Sequence, residues 1–277
     1  MTLTETKRAL DEIGSAPTKS LGQNFLIDQN ILRIVVEAAE IVRNEPVLEI
    51  GAGLGVLTQA LLEAGATVTA VEKDVRLHGF LQRRFAGRKN VKLIQGDALT
   101  LDLERAPSDF KLIANLPYSI STAILRRFVD SPVPPRRMVL MLQREVGARL
   151  AAAPGSRDYS VLTVCTQVKY RVTIRHVVSR RCFYPAPEVD SAIVVLEYRP
   201  HPRWKEADAG LFNGIVHAGF GQRRKQFAKL LRKAGFTAEQ VESGFATLGL
   251  PAGVRAEALS VEQLLQLTKE LSDGRNV

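Results

Sequence analysis

Short apolar runs alternate with amphipathic stretches over the first 150 positions, and this alternation predicts a parallel sheet wound on both faces by helices. Val47-Leu-Glu-Ile50, Thr67-Val-Thr-Ala-Val71, Val91-Lys-Leu-Ile-Gln95 and Phe110-Lys-Leu-Ile-Ala114 have the length and content of buried strands. Between the first two, Val56-Leu-Thr-Gln-Ala-Leu-Leu-Glu63 repeats its apolar residues at helical spacing. Upstream, Asp28 can cap an amphipathic helix running from 29 to about 42. Two later runs, at about 166–175 and 192–198, lie close together in the chain and predict an antiparallel end to the sheet. Pro200, His201 and Pro202 read as a linker. Beyond it, 207–218, 222–233, 238–248 and 261–271 read as four short helices, with turn signals at Gly219, Gly235, Gly249 and Pro251.

The chemistry lies in the residues at the strand ends. The first strand breaks into Gly51-Ala-Gly-Leu-Gly55, the second delivers Glu72, the third delivers Asp97 within Gly96-Asp97-Ala98, and the fourth ends in Asn115-Leu-Pro-Tyr118. In an open α/β sheet ligands bind at the carboxyl ends of the strands, so these residues converge on one edge. Glu72 stands twenty-one positions after Gly51, the spacing at which an acid takes both hydroxyls of a ribose. The glycines fall as G-x-G-x-G, whereas a dinucleotide loop wants G-x-G-x-x-G with amides free for pyrophosphate. Glu49 and Asp97 would repel a diphosphate, while an amino acid or a sulfonium is tolerated. S-adenosylmethionine therefore fits better than NAD. Asn115-Leu-Pro-Tyr118 puts an amide, a proline and an aromatic ring where a flat, hydrogen-bonding substrate would sit; a plain Pro turn leading into a helix is the simpler alternative.

Composition adds a partner. The 277 residues carry 38 Lys and Arg against 29 Asp and Glu, a net charge of +9. The excess is concentrated: twelve basic against three acidic residues from Arg126 to Arg181, and nine against two from Arg199 to Lys233. Two such segments flanking a base-binding edge point to a nucleic acid. The first eighteen residues hold five hydroxyl side chains, three acids and a proline, so a loose tail is expected there, with no leader or membrane segment and a cytoplasmic, monomeric protein. Cys165 and Cys182 sit in or beside apolar runs and read as reduced core residues, and the four histidines lack ligand spacing, so no metal is expected.

Eight blocks in order then match a known family. Lys19-Ser-Leu-Gly-Gln-Asn-Phe-Leu26, Glu49-Ile-Gly-Ala-Gly-Leu-Gly55, Val71-Glu72, Gly96-Asp97-Ala98, Asn115-Leu-Pro-Tyr118, Met141-Leu-Gln-Arg-Glu-Val146, Phe183-Tyr-Pro-Ala-Pro-Glu-Val-Asp-Ser191 and Phe220-Gly-Gln-Arg-Arg-Lys225 are similar to the ribosomal RNA adenine N6-dimethyltransferases, specifically the KsgA-type small-subunit enzymes. Glu188 stands where a lysine is common and Gly221 where a serine is common. The first departure puts one RNA phosphate contact in doubt; the second touches only a turn.

The resemblance implies a Rossmann-like class I S-adenosylmethionine-dependent methyltransferase domain over 19–200 and a small all-helical RNA- and ribosome-binding domain over 201–277, after a tail over 1–18. It assigns the cofactor to Asn24, Leu26, Gly51, Glu72, Asp97 and Asn115. Catalysis falls to Asn115, Leu116, Pro117, Tyr118 and Phe183, the side-chain oxygen of Asn115 and the Leu116 carbonyl accepting the N6 hydrogens while Tyr118 and Phe183 sandwich an extruded adenine. Arg223, Arg224 and Lys225, on a helix beginning near Gln222, form a basic ridge for RNA phosphates. The substrate implied is a pair of adjacent adenines in the terminal hairpin of small-subunit (16S) rRNA. The related large-subunit enzyme of macrolide resistance and a catalytically silent binding module are the alternatives.

Overall fold

The computed structural model describes residues 1–18, 21–103, 107–205 and 207–273. Lys19 and Ser20, which open the first of the eight blocks, lie outside the described residues. Two compact units emerge, one of 1–147 with 172–198, the other of 148–171 with 199–277.

The first unit is built on a seven-stranded sheet. Its strands are β2 (Pro46–Ile50), β3 (Thr67–Glu72), β4 (Val91–Gln95), β5 (Lys111–Asn115), β6 (Arg137–Gln143), β7 (Tyr170–Val178) and β9 (Ser191–Tyr198), in the order β4-β3-β2-β5-β6-β9-β7. Pairing is parallel from β4 through β6, and β9 runs antiparallel to β6. The helices α2 (Gln29–Ala39), α3 (Val56–Glu63), α4 (Val75–Arg84) and α5 (Ser121–Val129) alternate with these strands, as a parallel sheet requires. Ile113, Val139, Met141, Ile193 and Val195 share one core cluster with Val35, Leu57 and Leu61, so the sheet's apolar alternation is what binds the helices to it. A separate ribbon pairs β1 (Phe25–Leu26) with β8 (Phe183–Tyr184), setting Phe25 opposite Tyr184 and Leu26 opposite Phe183.

Several segments depart from expectation, each for a local reason. The segment 1–18, expected as a loose tail, carries helix α1 (Leu3–Glu12). Thr2 and Glu5 cap each other's backbone N–H at 3.3 and 2.7 Å, and Ala9 and Leu10 are buried with Phe25, Leu54 and Leu77. Helix α2 stops at Ala39, not near 42: Glu40 turns left-handed, and Nζ of Lys111 donates to the carbonyls of Ala39 at 2.7 Å and Glu40 at 2.5 Å. No local stop signal exists because the cap arrives from β5. The strand expected from 166 begins instead at Tyr170. Thr163, Val164 and Thr166 belong to α7 (Val161–Gln167), which Ser160 and Thr163 start with a capping box. Burial of those side chains overrides their strand preference.

The second unit is helical and larger than the sequence suggests, since 148–171 belong to it as well as the expected C-terminal residues. It contains the end of α6 (Arg144–Leu150), all of α7, and α8 (Ala209–Phe220), α9 (Phe227–Lys233), α10 (Ala238–Thr247) and α11 (Val261–Asp273). Tyr159 and Val164 pack with Phe212, Ile215, Phe227, Phe245 and Leu264 in one core. The helix expected from 222 starts only at Phe227, because Arg223 is drawn into the unit by Glu257, 2.5 Å away, and by the carbonyls of Ser156 and Arg157.

Candidate active site

The carboxyl ends of β2, β3, β4 and β5 surround a cleft of about 1210 Å³, counted out to open solvent. Asn24, Leu26, Gly51, Glu72, Asp97, Asn115, Leu116, Pro117 and Tyr118 all line it, together with Gly22, Phe25 and Glu49. The structure thus brings nine of the expected site residues to one place.

Glu72 ends β3 and is buried, with both carboxylate oxygens engaged by the backbone: Oε2 accepts from the Gly53 N–H and Oε1 from the Asp74 N–H, each at 2.8 Å. These bonds fix the carboxylate plane and leave further lone pairs on each oxygen, which can face two vicinal hydroxyls. Burial nevertheless raises its pKa, opposed by the two backbone donors. Gly53 is needed for its small size: at φ +57, a Cβ there would stand 3.2 Å from the Phe25 ring. Asp97 caps a single helical turn, its Oδ1 accepting from the Leu99 N–H at 2.9 Å, while its Oδ2 pairs with Nζ of Lys73 at 2.9 Å. The lysine first, then the backbone donor, holds its carboxyl below the usual range.

Glu49 is a site residue that the family-derived assignment leaves out. It ends near the cleft floor at 1% exposure, and its Oε2 has no hydrogen-bond partner. Burial pushes its carboxyl up to about 8, with Glu72 adding to the rise and Thr58 opposing it. Its sequence signal was an acid inside an apolar strand. A buried acid with one unpartnered oxygen beside a second acid suits a ligand bearing positive charge, whose arrival favours the ionised form.

At the other end of the cleft, Nδ2 of Asn115 donates to the Asn24 carbonyl at 2.9 Å. The carboxamide is thereby oriented, and its oxygen remains as the acceptor. Leu116 is buried and its N–H donates to the Met141 carbonyl at 3.3 Å, while its own carbonyl has no donor among the described residues. Proline at 117 keeps Leu116 extended. The Tyr118 hydroxyl lies 2.5 Å from Oγ of Ser191, which ties the ring in place at the cleft wall.

Two expected contributions sit differently from expectation. Phe183 is not among the residues that line the cleft: pairing of β8 with β1 sets it in the core beside Leu26, at 3% exposure. Arg223 is not a free member of the basic ridge, because Glu257 and two main-chain carbonyls engage its guanidinium; Arg224, Lys225, Lys229, Arg232 and Lys233 are exposed. Among the described residues no cluster of three metal-ligating side chains occurs, and no helix is long and apolar enough to cross a membrane.

Comparison with known proteins places this geometry. Residues 15–273 match the family described as ribosomal RNA adenine dimethylase. The chain is 39% identical to the ribosomal RNA small subunit methyltransferase A of Moorella thermoacetica over 94% of each chain. It is 38% identical to the protein of the same name from Geobacillus kaustophilus, over 96% of this chain and 95% of that one. Among solved structures it is similar to a dimethyladenosine transferase from Plasmodium falciparum, with a TM-score of 0.79 and 26% identity over 90% of this chain and 98% of the other. It is also similar to the 23S rRNA methyltransferase ErmE, with a TM-score of 0.71 and 28% identity over 90% of this chain and 100% of that one. The expected Rossmann-like methyltransferase fold is therefore the observed one.

Proposed function

The chain belongs to the ribosomal RNA adenine dimethylase family, and from that premise we propose that it dimethylates N6 of two adjacent adenines in the 3′-terminal hairpin of small-subunit rRNA, with S-adenosylmethionine as methyl donor. The observation that carries the reading is the oriented carboxamide of Asn115 beside the unbonded carbonyl of Leu116.

The residues present fit this cofactor. Glu72 can hold the ribose hydroxyls, Asp97 the adenine amine, and Glu49 with its orphaned oxygen favours positive charge in the cleft. Gly51 lets the chain approach the ligand, and Leu26 supplies an apolar wall. When bound, S-adenosylmethionine supplies an electrophilic methyl group.

The target amine is a weak nucleophile because its lone pair is delocalised into the purine. In the first transfer, accepting its two hydrogens at Oδ1 of Asn115 and at the Leu116 carbonyl favours the pyramidal form, with the lone pair localised on nitrogen; in the second, the methylated amine has one hydrogen left for these acceptors. Tyr118, pinned through Ser191, offers a face for the extruded base; such stacking contributes roughly 1–3 kcal/mol. The N6 proton becomes acidic once nitrogen is alkylated and leaves to solvent, so no strong general base is required.

Arg224 and Lys225, with Arg223 held by Glu257 as a structural brace, are assigned to RNA phosphates. Replacing Arg224 and Lys225 by Ala should flatten the log-affinity against log-salt slope for small-subunit binding by ~1–2 units, and an unchanged slope would remove them from the interface. The reaction itself is tested by incubating the protein with labelled cofactor and undermethylated small or large subunits, then mapping the product. Label confined to two adjacent small-subunit adenines is expected. Label on the large subunit alone would transfer the assignment to the reaction named for ErmE.

A further inference from the structure

Residues 22–25 lie against the loops that follow β2, β3 and β5, three of the four that build the cleft. Gly22, at φ +62, passes so close to the Asn115–Tyr118 loop that a Cβ there would stand 3.2 Å from Cβ of Pro117. Gln23 accepts from the Thr18 N–H at 2.9 Å and donates to Oδ2 of Asp74 at 3.4 Å, next to the acid end of the cleft. Nδ2 of Asn24 donates to the Gly22 carbonyl at 3.1 Å, closing the turn, while the Asn24 carbonyl takes the hydrogen bond of Asn115. Phe25 covers Gly53 of the glycine loop.

A carboxamide free to rotate could present either its NH₂ or its oxygen to the cleft, and only the oxygen can accept a hydrogen from adenine N6. Accepting from the NH₂ group removes that choice. We propose that Gly22–Asn24 is a positioning segment for methyl transfer: the Asn24 main-chain carbonyl holds Asn115 with its oxygen toward the substrate amine, and Gly22 is required because only its bare backbone brings that carbonyl close enough. The inference rests on the proposed reaction. It gives Asn24 a role through its backbone, distinct from contact of its side chain with the cofactor, and it gives Gly22 a role not otherwise assigned.

The contact demands a donor at position 115, which makes Asn115→Asp the decisive variant. An ionised Asp offers N6 as good an acceptor as Asn does, but it would face the Asn24 carbonyl with a second acceptor. A protonated Asp donates to that carbonyl and keeps an acceptor oxygen. The single-turnover rate of Asn115→Asp relative to the natural chain should therefore be ~10²-fold down near neutral pH and recover as pH falls. The other titratable groups lining the cleft, Glu49, Glu72, Lys73, Asp97 and Tyr118, are common to both chains, so taking the ratio removes their contribution. A ratio that does not change with pH overturns the proposal.

Gly22→Ala supplies the second arm. It should slow the chemical step ~10-fold with cofactor affinity held within a few-fold, and it should slow Asn115→Asp far less, because that variant gains nothing from the carbonyl at neutral pH. Equal slowing in both backgrounds, or none in the natural chain, overturns the proposal. If the natural chain methylates neither subunit, the proposed function fails instead, and the two failures are told apart.

Discussion

At the amino ends of β2 and β5, Glu45 and Lys111 are buried to 4% and 5% side-chain exposure and stand 3.0 Å apart, with Arg136 also paired to Glu45. At the carboxyl ends of β2 and β3, Glu49 and Glu72 are as deeply buried, at 1% and 6%, yet no cation lies within ion-pair distance of either among the described residues. Burial lowers the Lys111 amine to about 8, which still leaves it mostly charged at neutral pH beside its carboxylate. Burial raises Glu49 to about 8, which leaves it mostly protonated. The same sheet thus closes its charges at one edge and leaves them open at the other. A buried ion pair that is complete, and also caps α2, serves the fold; buried acids without a cation mark the edge prepared for a positively charged ligand.

The largest expected effect tests the closed edge. Lys111→Met would leave the Glu45 carboxylate with Arg136 alone and uncap α2, and should lower unfolding free energy by about 3 kcal/mol, read from urea denaturation. Methyl transfer per folded molecule should stay within about two-fold. A stable but inactive Lys111→Met chain would break the division between the edges.

Next comes the open edge. Glu72→Ala should weaken S-adenosylmethionine binding by about 1–3 kcal/mol and, by leaving the Gly53 and Asp74 N–H groups without their acceptor, lower stability as well, measured by calorimetry and thermal unfolding. Glu72→Gln should recover only part of the affinity, because an amide offers one oxygen to the two N–H donors of Gly53 and Asp74.

The smallest effect is a proton. Because the folded-state pKa of Glu49 lies above the ordinary 4.5, the native chain holds a proton that the unfolded chain has lost between about pH 4.5 and 8. Stability from this group is therefore complete below that window and declines as pH rises through it. Glu49→Gln should abolish this component of the decline. In the natural chain, binding a cationic cofactor near neutral pH should expel less than one proton, detected as a dependence of binding enthalpy on buffer; Glu49→Gln should expel none from this position.

The open edge was far easier to read in sequence than the closed one. Glu72 and Asn115 come directly after an apolar run and Asp97 two positions after one, so strand periodicity carried them to a common edge. The α2 cap could not be read this way, since Ala39 and Lys111 are 72 positions apart and neither looks like a helix stop. The N-terminal helix was legible in the Thr2 and Glu5 capping box, but hydroxyl and acidic content pointed to a tail. Phe183 and Arg223 have surroundings that their motifs do not announce. Their motifs are present, while β1 pairing buries one and Glu257 engages the other.

The acceptor role of Asn115 is the central claim, and single-turnover methyl transfer to undermethylated small subunits by Asn115→Ala measures it most directly. The rate should fall at least ~10²-fold while S-adenosylmethionine affinity stays within a few-fold of the natural chain, since the cofactor's main polar contacts are assigned to other residues. Near-normal transfer by Asn115→Ala would contradict the account.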